Sequence, residues 1–121
     1  MILDTNILIA YLNGEAAVTE ALFKWKQEGR ALFISPISHA EVLSLPTLTP
    51  SDVGRARAFL KEFISIPFTE DLAEDAALLR RIYRLTLPDA AIAVSALRNQ
   101  IPLITRDCQF RKISEISTLT I

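Results

Sequence analysis

The chain has 121 residues, enough for one compact domain with a real core. Half of them are hydrophobic and 22% are charged, which excludes a disordered chain. The formal net charge of −1 excludes a protein that holds nucleic acid by bulk positive charge, while leaving room for local basic patches or a metal-neutralised acidic site.

In chain order, Met1-Ile2-Leu3 reads as a short buried strand, after which Asp4 or Thr5 caps a helix that runs through Tyr11 and Leu12 and ends at Asn13-Gly14. Glu15 to Glu28 has helical spacing at Ala17, Ala21, Leu22 and Trp25, and Gly29 stops it. Ala31 to Ile34 is a second apolar strand. Ser38 is expected to begin the next helix, carrying Val42, Leu43 and Leu45 until Pro46. Thr49-Pro50-Ser51-Asp52 combines a capping hydroxyl, a proline at the first helical position and an acid behind it, so a helix follows to about Ile64. Ser65 to Phe68 suggests a third strand, Leu72 to Leu85 a helix, and Pro88 opens another helix through Leu97. Pro102 to Thr105 is a fourth strand and Ser117 to Ile121 a fifth. Short, continuous apolar strands alternating with helices predict an α/β fold. The expected architecture is a three-layer α/β/α sandwich of one domain, residues 1–121, around a mostly parallel sheet of four to five strands.

The lone cysteine, Cys108, cannot form an internal bridge, and no basic leader precedes an apolar stretch at the N-terminus. Both features lead us to expect a cytoplasmic setting. No apolar run approaches the roughly 18 residues of a membrane span, so no membrane role is expected.

Four acids stand where strands end and helices begin, the side on which such sheets gather ligands. Asp4 follows the first strand. Glu41 is expected in the first turn after the second strand, Asp89 just inside the helix opened by Pro88, and Asp107 after the fourth strand. Each has an ordinary explanation: Asp4 as a cap, Glu41 in a capping box with Ser38, Asp89 against the helix dipole, Asp107 in a turn. Glu20, Glu28, Glu62, Glu70 and Glu74 lie instead on polar helix faces. Gathered carboxylates repel, and a hard divalent cation such as Mg²⁺ or Mn²⁺ removes the conflict, since both prefer oxygen ligands. Such a site activates water and neutralises charge on a phosphodiester. Three scattered glycines exclude a phosphate loop or a dinucleotide fingerprint.

The segments MILDTN, SHAEVL, LPDAAIAVSAL and LITRDCQF, in this order, resemble the PIN-domain family over essentially the whole chain, and most of all its small VapC-type toxins from toxin–antitoxin pairs. The resemblance implies a PIN-like α/β/α sandwich and a Mg²⁺- or Mn²⁺-dependent ribonuclease. It implies Asp4, Glu41, Asp89 and Asp107 as the catalytic and metal-binding acids, with Thr5 or Asn6 beside the first acid and Thr105 before the last as supporting hydrogen-bonding groups. An RNA substrate, a cognate antitoxin and a homodimer are the implied partners.

His39, the only histidine, is turned off the Glu41 face and is expected to be a partly exposed helix residue, not a general base. Arg106, next to Asp107, has two readings: a phosphate contact, or a surface ion pair. Arg80, Arg81 and Arg84 read as a solvated face or an RNA path, and Phe23 and Trp25 as core residues or a partner face. Two other functions compete with a nuclease. A haloacid-dehalogenase-type phosphoryl transferase also starts from a strand-end aspartate, but Asn6 stands where its second aspartate belongs. A non-catalytic PIN-like binding module would have been free to lose some of the four acids.

Overall fold

The computed structural model describes residues 1–121. Five two-residue strands, β1 (Ile2–Leu3), β2 (Phe33–Ile34), β3 (Ile64–Ser65), β4 (Leu103–Ile104) and β5 (Thr118–Leu119), form one sheet in the order β3-β2-β1-β4-β5. Every pairing is parallel. Six α-helices connect them: α1 (Thr5–Leu12), α2 (Ala16–Gln27), α3 (Pro36–Leu43), α4 (Pro50–Leu60), α5 (Glu70–Tyr83) and α6 (Leu87–Asn99). A 3₁₀ turn at Cys108–Lys112 lies between β4 and β5. No helix is long and apolar enough to cross a membrane.

Side chains alternate across a strand, and the two central strands use both faces. Ile2 and Leu103 pack with α5, α6 and Phe110, whereas Leu3 and Ile104 pack with α1 to α4. The sheet is therefore the middle of three layers. A residue such as Leu3 or Ile104, without any exposed surface, stabilises the fold by roughly 1.5–3 kcal/mol through burial of its side chain. Tyr11 stacks on Phe59 with ring centroids 4.2 Å apart, fastening α1 to α4. Gly14 and Gly29 follow α1 and α2 at φ of 76° and 72°, where a side chain would be strained.

Several expectations need correction. Ser35 and not Ser38 caps α3, its hydroxyl accepting the Ile37 N–H, because Pro36 fixes the first helical residue. Glu41 consequently lies in the second turn, and α3 stops at Leu43, before Pro46. Helix α4 ends at Leu60, so β3 begins one residue before the expected strand and ends at Ser65, where its register with Ile34 runs out. Thr69 caps α5 two residues ahead of expectation. The 3₁₀ turn after Asp107 is not among the expected elements; its signal is short, the fully buried Phe110 followed by buried Ile113 and Ile116 at three-residue spacing. Trp25 is half-buried against the core, but Phe23 points outward at 62% exposure.

Candidate metal centre

The chain leaves β1 to β2 and β3 on one side of the sheet, then crosses to β4 and β5 on the other. The winding reverses between the carboxyl ends of β1 and β4, the place at which open α/β sheets gather ligands. Asp4 ends β1, and Thr105 and Asp107 follow β4. The Asp4 amide donates to the Ile104 carbonyl at 3.0 Å, the last rung that joins the two strand ends.

Asp4 is 3% exposed. Its Oδ2 accepts from the Thr105 hydroxyl at 2.7 Å, and its Oδ1 from the Thr5 amide at 2.8 Å. Burial pushes this carboxyl up to about 6; the two hydrogen bonds oppose the rise, and the charges of Asp89 and Asp107 add to it. Thr105 also accepts the Asp107 amide at 3.0 Å, so one buried hydroxyl ties the first acid to the main chain of the last. The Asp107 carboxylate accepts the Gln109 amide at 2.9 Å, starting the 3₁₀ turn.

The second pair of acids arrives on helices. Thr5 Oγ1 lies 2.7 Å from Glu41 Oε1 and 2.9 Å from Ser38 Oγ. A hydroxyl has one proton, so Thr5 donates it to the carboxylate and accepts from Ser38. Thr86 caps α6 by accepting the Asp89 amide at 3.3 Å, which puts Asp89 in the first turn. Partial burial raises the Asp89 carboxyl above the ordinary range; Thr86 opposes this, and the charges of Asp107 and Glu41 reinforce it. Each acid thus lies in the field of at least one other: Asp89 and Asp107 act on Asp4, and Asp107 and Glu41 act on Asp89. No three Asp, Glu, His or Cys side chains stand at separations that would already hold an ion.

The oxygen-only donor set suits a hard cation. Asp4 also shows the conflict a cation would relieve: a carboxylate with two hydrogen-bond donors that still resists ionisation.

Comparison with known proteins matches residues 1–116 to the PIN domain. The chain belongs to the PIN-domain family. A toxin–antitoxin complex from Klebsiella pneumoniae superposes with a TM-score of 0.83 at 34% identity, over 99% of this chain and 98% of that one. VapBC2 from Rickettsia felis, bound to a DNA fragment from its promoter, gives 0.83 at 20% identity over 98% and 96% of the two chains. DNA-bound VapBC from Salmonella typhimurium gives 0.81 at 18% identity over 98% and 96%. At these lower identities the likeness shows the fold. No curated protein sequence matches the chain.

In this PIN domain the neighbours of the acids divide sharply. Thr5 and Thr105 are buried and bonded to acids, whereas the Asn6 side chain is exposed and has no hydrogen-bond partner in the chain. The Arg106 guanidinium donates to Glu15 at 2.6 Å and to the Ile121 carbonyl at 3.2 Å, so it has the ion pair that one of its two readings required. His39 is half-buried on α3. Ser38 is the residue that sequence reasoning misassigned. It is fully buried and three residues before Glu41, and with Ser35 taking the cap its hydroxyl is free to meet Thr5. The signal was present in Ser35-Pro36, a stronger helix opening than Ser38.

Proposed function

We propose that this PIN domain is the VapC-type toxin of a toxin–antitoxin pair, an endoribonuclease that hydrolyses RNA phosphodiester bonds with Mg²⁺ or Mn²⁺. Asp4, Glu41, Asp89 and Asp107 would hold the cation. When bound, it would activate water and neutralise charge on the scissile phosphate. The chain's own contribution is to hold its acids in place. Thr105 and the Thr5 amide fix both oxygens of Asp4, Thr5 directs a proton to Glu41, and the 3₁₀ turn fixes Asp107. The observation that carries this reading is Asp4, a buried carboxylate at the strand crossover whose ionisation is resisted by burial and by two other acids.

The relatives' complexes support a cognate antitoxin as a protein partner. RNA as substrate and self-association belong to the same proposal. The haloacid-dehalogenase alternative has no counterpart in the family match. A non-catalytic binding module draws some support from the lack of a preformed three-ligand group. Cleavage of total RNA by the purified chain separates the two readings. Cleavage is expected with Mg²⁺ or Mn²⁺, is expected to stop on chelation, and should fall by at least about 100-fold in Asp89→Asn, the loss typical when one electrostatic stabiliser is removed. Equal cleavage by Asp89→Asn, or cleavage that survives chelation, would overturn the nuclease reading.

A further inference from the structure

The support behind Asp4 and Asp107 runs outward to the edge strand β5. Thr105 is 2% exposed and uses every polar group it has. Its hydroxyl donates to Asp4 Oδ2 at 2.7 Å and accepts the Asp107 amide at 3.0 Å. Its own amide donates to the Leu119 carbonyl at 2.9 Å, and its carbonyl accepts the Thr120 hydroxyl at 3.1 Å. Residues 119 and 120 therefore fix both main-chain groups of the residue that joins the two acids.

The Thr120 bond departs from a regular ladder. Strands β4 and β5 are parallel, with Ile104 opposite Leu119. Continued one step further, the parallel pattern would give the Thr105 carbonyl the Ile121 amide. The Thr120 side chain makes that bond instead. A rung made by a side chain depends on residue type, and one substitution removes it without breaking the main chain.

Arg106 adds a second fastening. Its guanidinium donates to the Ile121 carbonyl at 3.2 Å and to Glu15, the residue before α2, at 2.6 Å. Ile121 in turn packs against the apolar cluster on the α1 to α4 side of the sheet. An exposed ion pair stabilises a fold little. These contacts matter for where they act, since all of them fall on Thr105 and Arg106, the two residues that lead from β4 into Asp107.

Resting on the nuclease reading above, we propose that Thr120 and, more weakly, Arg106 are positioning residues for the metal site. Thr120 fixes the Thr105 peptide, and Thr105 fixes Asp4 Oδ2 and the Asp107 amide. The acids then meet the cation without first having to be ordered. Neither Thr120 nor Arg106 is a metal ligand; both act through Thr105, as the outer partners of metal-binding groups do.

The test uses the full chain and Mn²⁺ alone, with free and bound ion distinguished by electron paramagnetic resonance. Thr120→Val should lower Mn²⁺ affinity about threefold to tenfold, the worth of one hydrogen bond. Thr120→Ser keeps the hydroxyl and should stay within about twofold of wild type. Arg106→Gln should lower affinity about twofold. In the metal-free chain, Thr120→Val should also speed hydrogen exchange at the Asp107 amide. Thr49→Ala removes the α4 cap at a similar cost in stability and should change neither readout. Wild-type affinity in Thr120→Val, no rescue by Thr120→Ser, or an equal loss in Thr49→Ala overturns the proposal and leaves the nuclease reading standing. A wild-type chain that binds no Mn²⁺ overturns both.

Discussion

Two acids in the N-terminal turns of this chain's helices, Asp52 of α4 and Asp4 of α1, behave oppositely. At the start of α4, Asp52 accepts from the Thr49 amide at 3.0 Å and from Arg55 at 2.6 Å, in a reciprocal capping box at the surface. The Thr49 and Arg55 hydrogen bonds hold its carboxyl below the usual range. At the start of α1, Asp4 also has two donors, yet its carboxyl is pushed up to about 6. Each carboxylate accepts two bonds, but one of Asp52's donors is a guanidinium whereas both of Asp4's are neutral, and the surroundings differ as well. Water reaches the α4 terminus, whereas Asp4 lies under the strand ends, facing other acids. Burial thus turns the same local device from a stabilising cap into a site that resists its own charge.

The sharpest way to break this contrast is to remove each charge in turn. Asp4→Asn should lower Mn²⁺-dependent cleavage by at least about 100-fold. The same variant should make the metal-free protein more stable above pH 6. A rise from 3.8 to about 6 corresponds to roughly 3 kcal/mol of resisted ionisation, of which about 1–2 kcal/mol should survive the poorer hydrogen bonding of the amide. Asp52→Asn should do the reverse, lowering the melting temperature and leaving cleavage unchanged. Thermal melts and cleavage rates on the two variants give both answers.

Next in size is the effect of pH on the metal-free chain. The folded state keeps the Asp4 proton up to about pH 6, while the unfolded chain loses it near 3.8. Between these values the unfolded state binds fewer protons, so Asp4 makes stability fall as pH rises from about 4 to about 6. Its contribution is fully present below the unfolded value and is gone above the folded one. Denaturant midpoints across this window should show the decline in the wild type relative to Asp4→Asn. A flat difference would mean that Asp4 ionises normally.

The hydroxyls should give smaller effects. Thr105→Val deprives the buried Asp4 Oδ2 of its donor and should cost about 1–3 kcal/mol, together with weaker Mn²⁺ binding. Ser38→Ala should cost about 1 kcal/mol and lower Mn²⁺ affinity only a few-fold, with Ser38→Thr closer to wild type, since Thr5 can still donate to Glu41 without it. An equal loss from both substitutions would mean that Ser38 acts only by filling space.

Most of the architecture was legible because its signals are local. Apolar runs marked β1, β2 and β4, a strand near β3 and one at β5 were expected within a few residues, and Thr49-Pro50-Ser51-Asp52 and Gly29 marked helix ends that are in the structure. Less could be read where two local signals competed, as at Ser35-Pro36 and Ser38, and the cap went to the residue beside the proline. The placement of Asp4 and Asp107 just past strand ends, and of Asp89 in the first turn of its helix, was legible too, whereas Glu41 lies a turn further into α3 than expected. Their linkage through Thr5, Ser38 and Thr105 was not, because those hydrogen bonds join residues 33, 36 and 101 positions apart. Nor could spacing alone reveal that Arg106 reaches back to Glu15, across the sheet end from its own loop.

The most direct test of the proposed four-acid metal site is a crystal grown with Mn²⁺ and measured at the manganese absorption edge. An anomalous peak is expected among Asp4, Glu41, Asp89 and Asp107, with the Asp4 carboxylate at a bonding distance of about 2.1–2.2 Å. No peak there at saturating Mn²⁺, or a peak held only by acids other than these four, would contradict it.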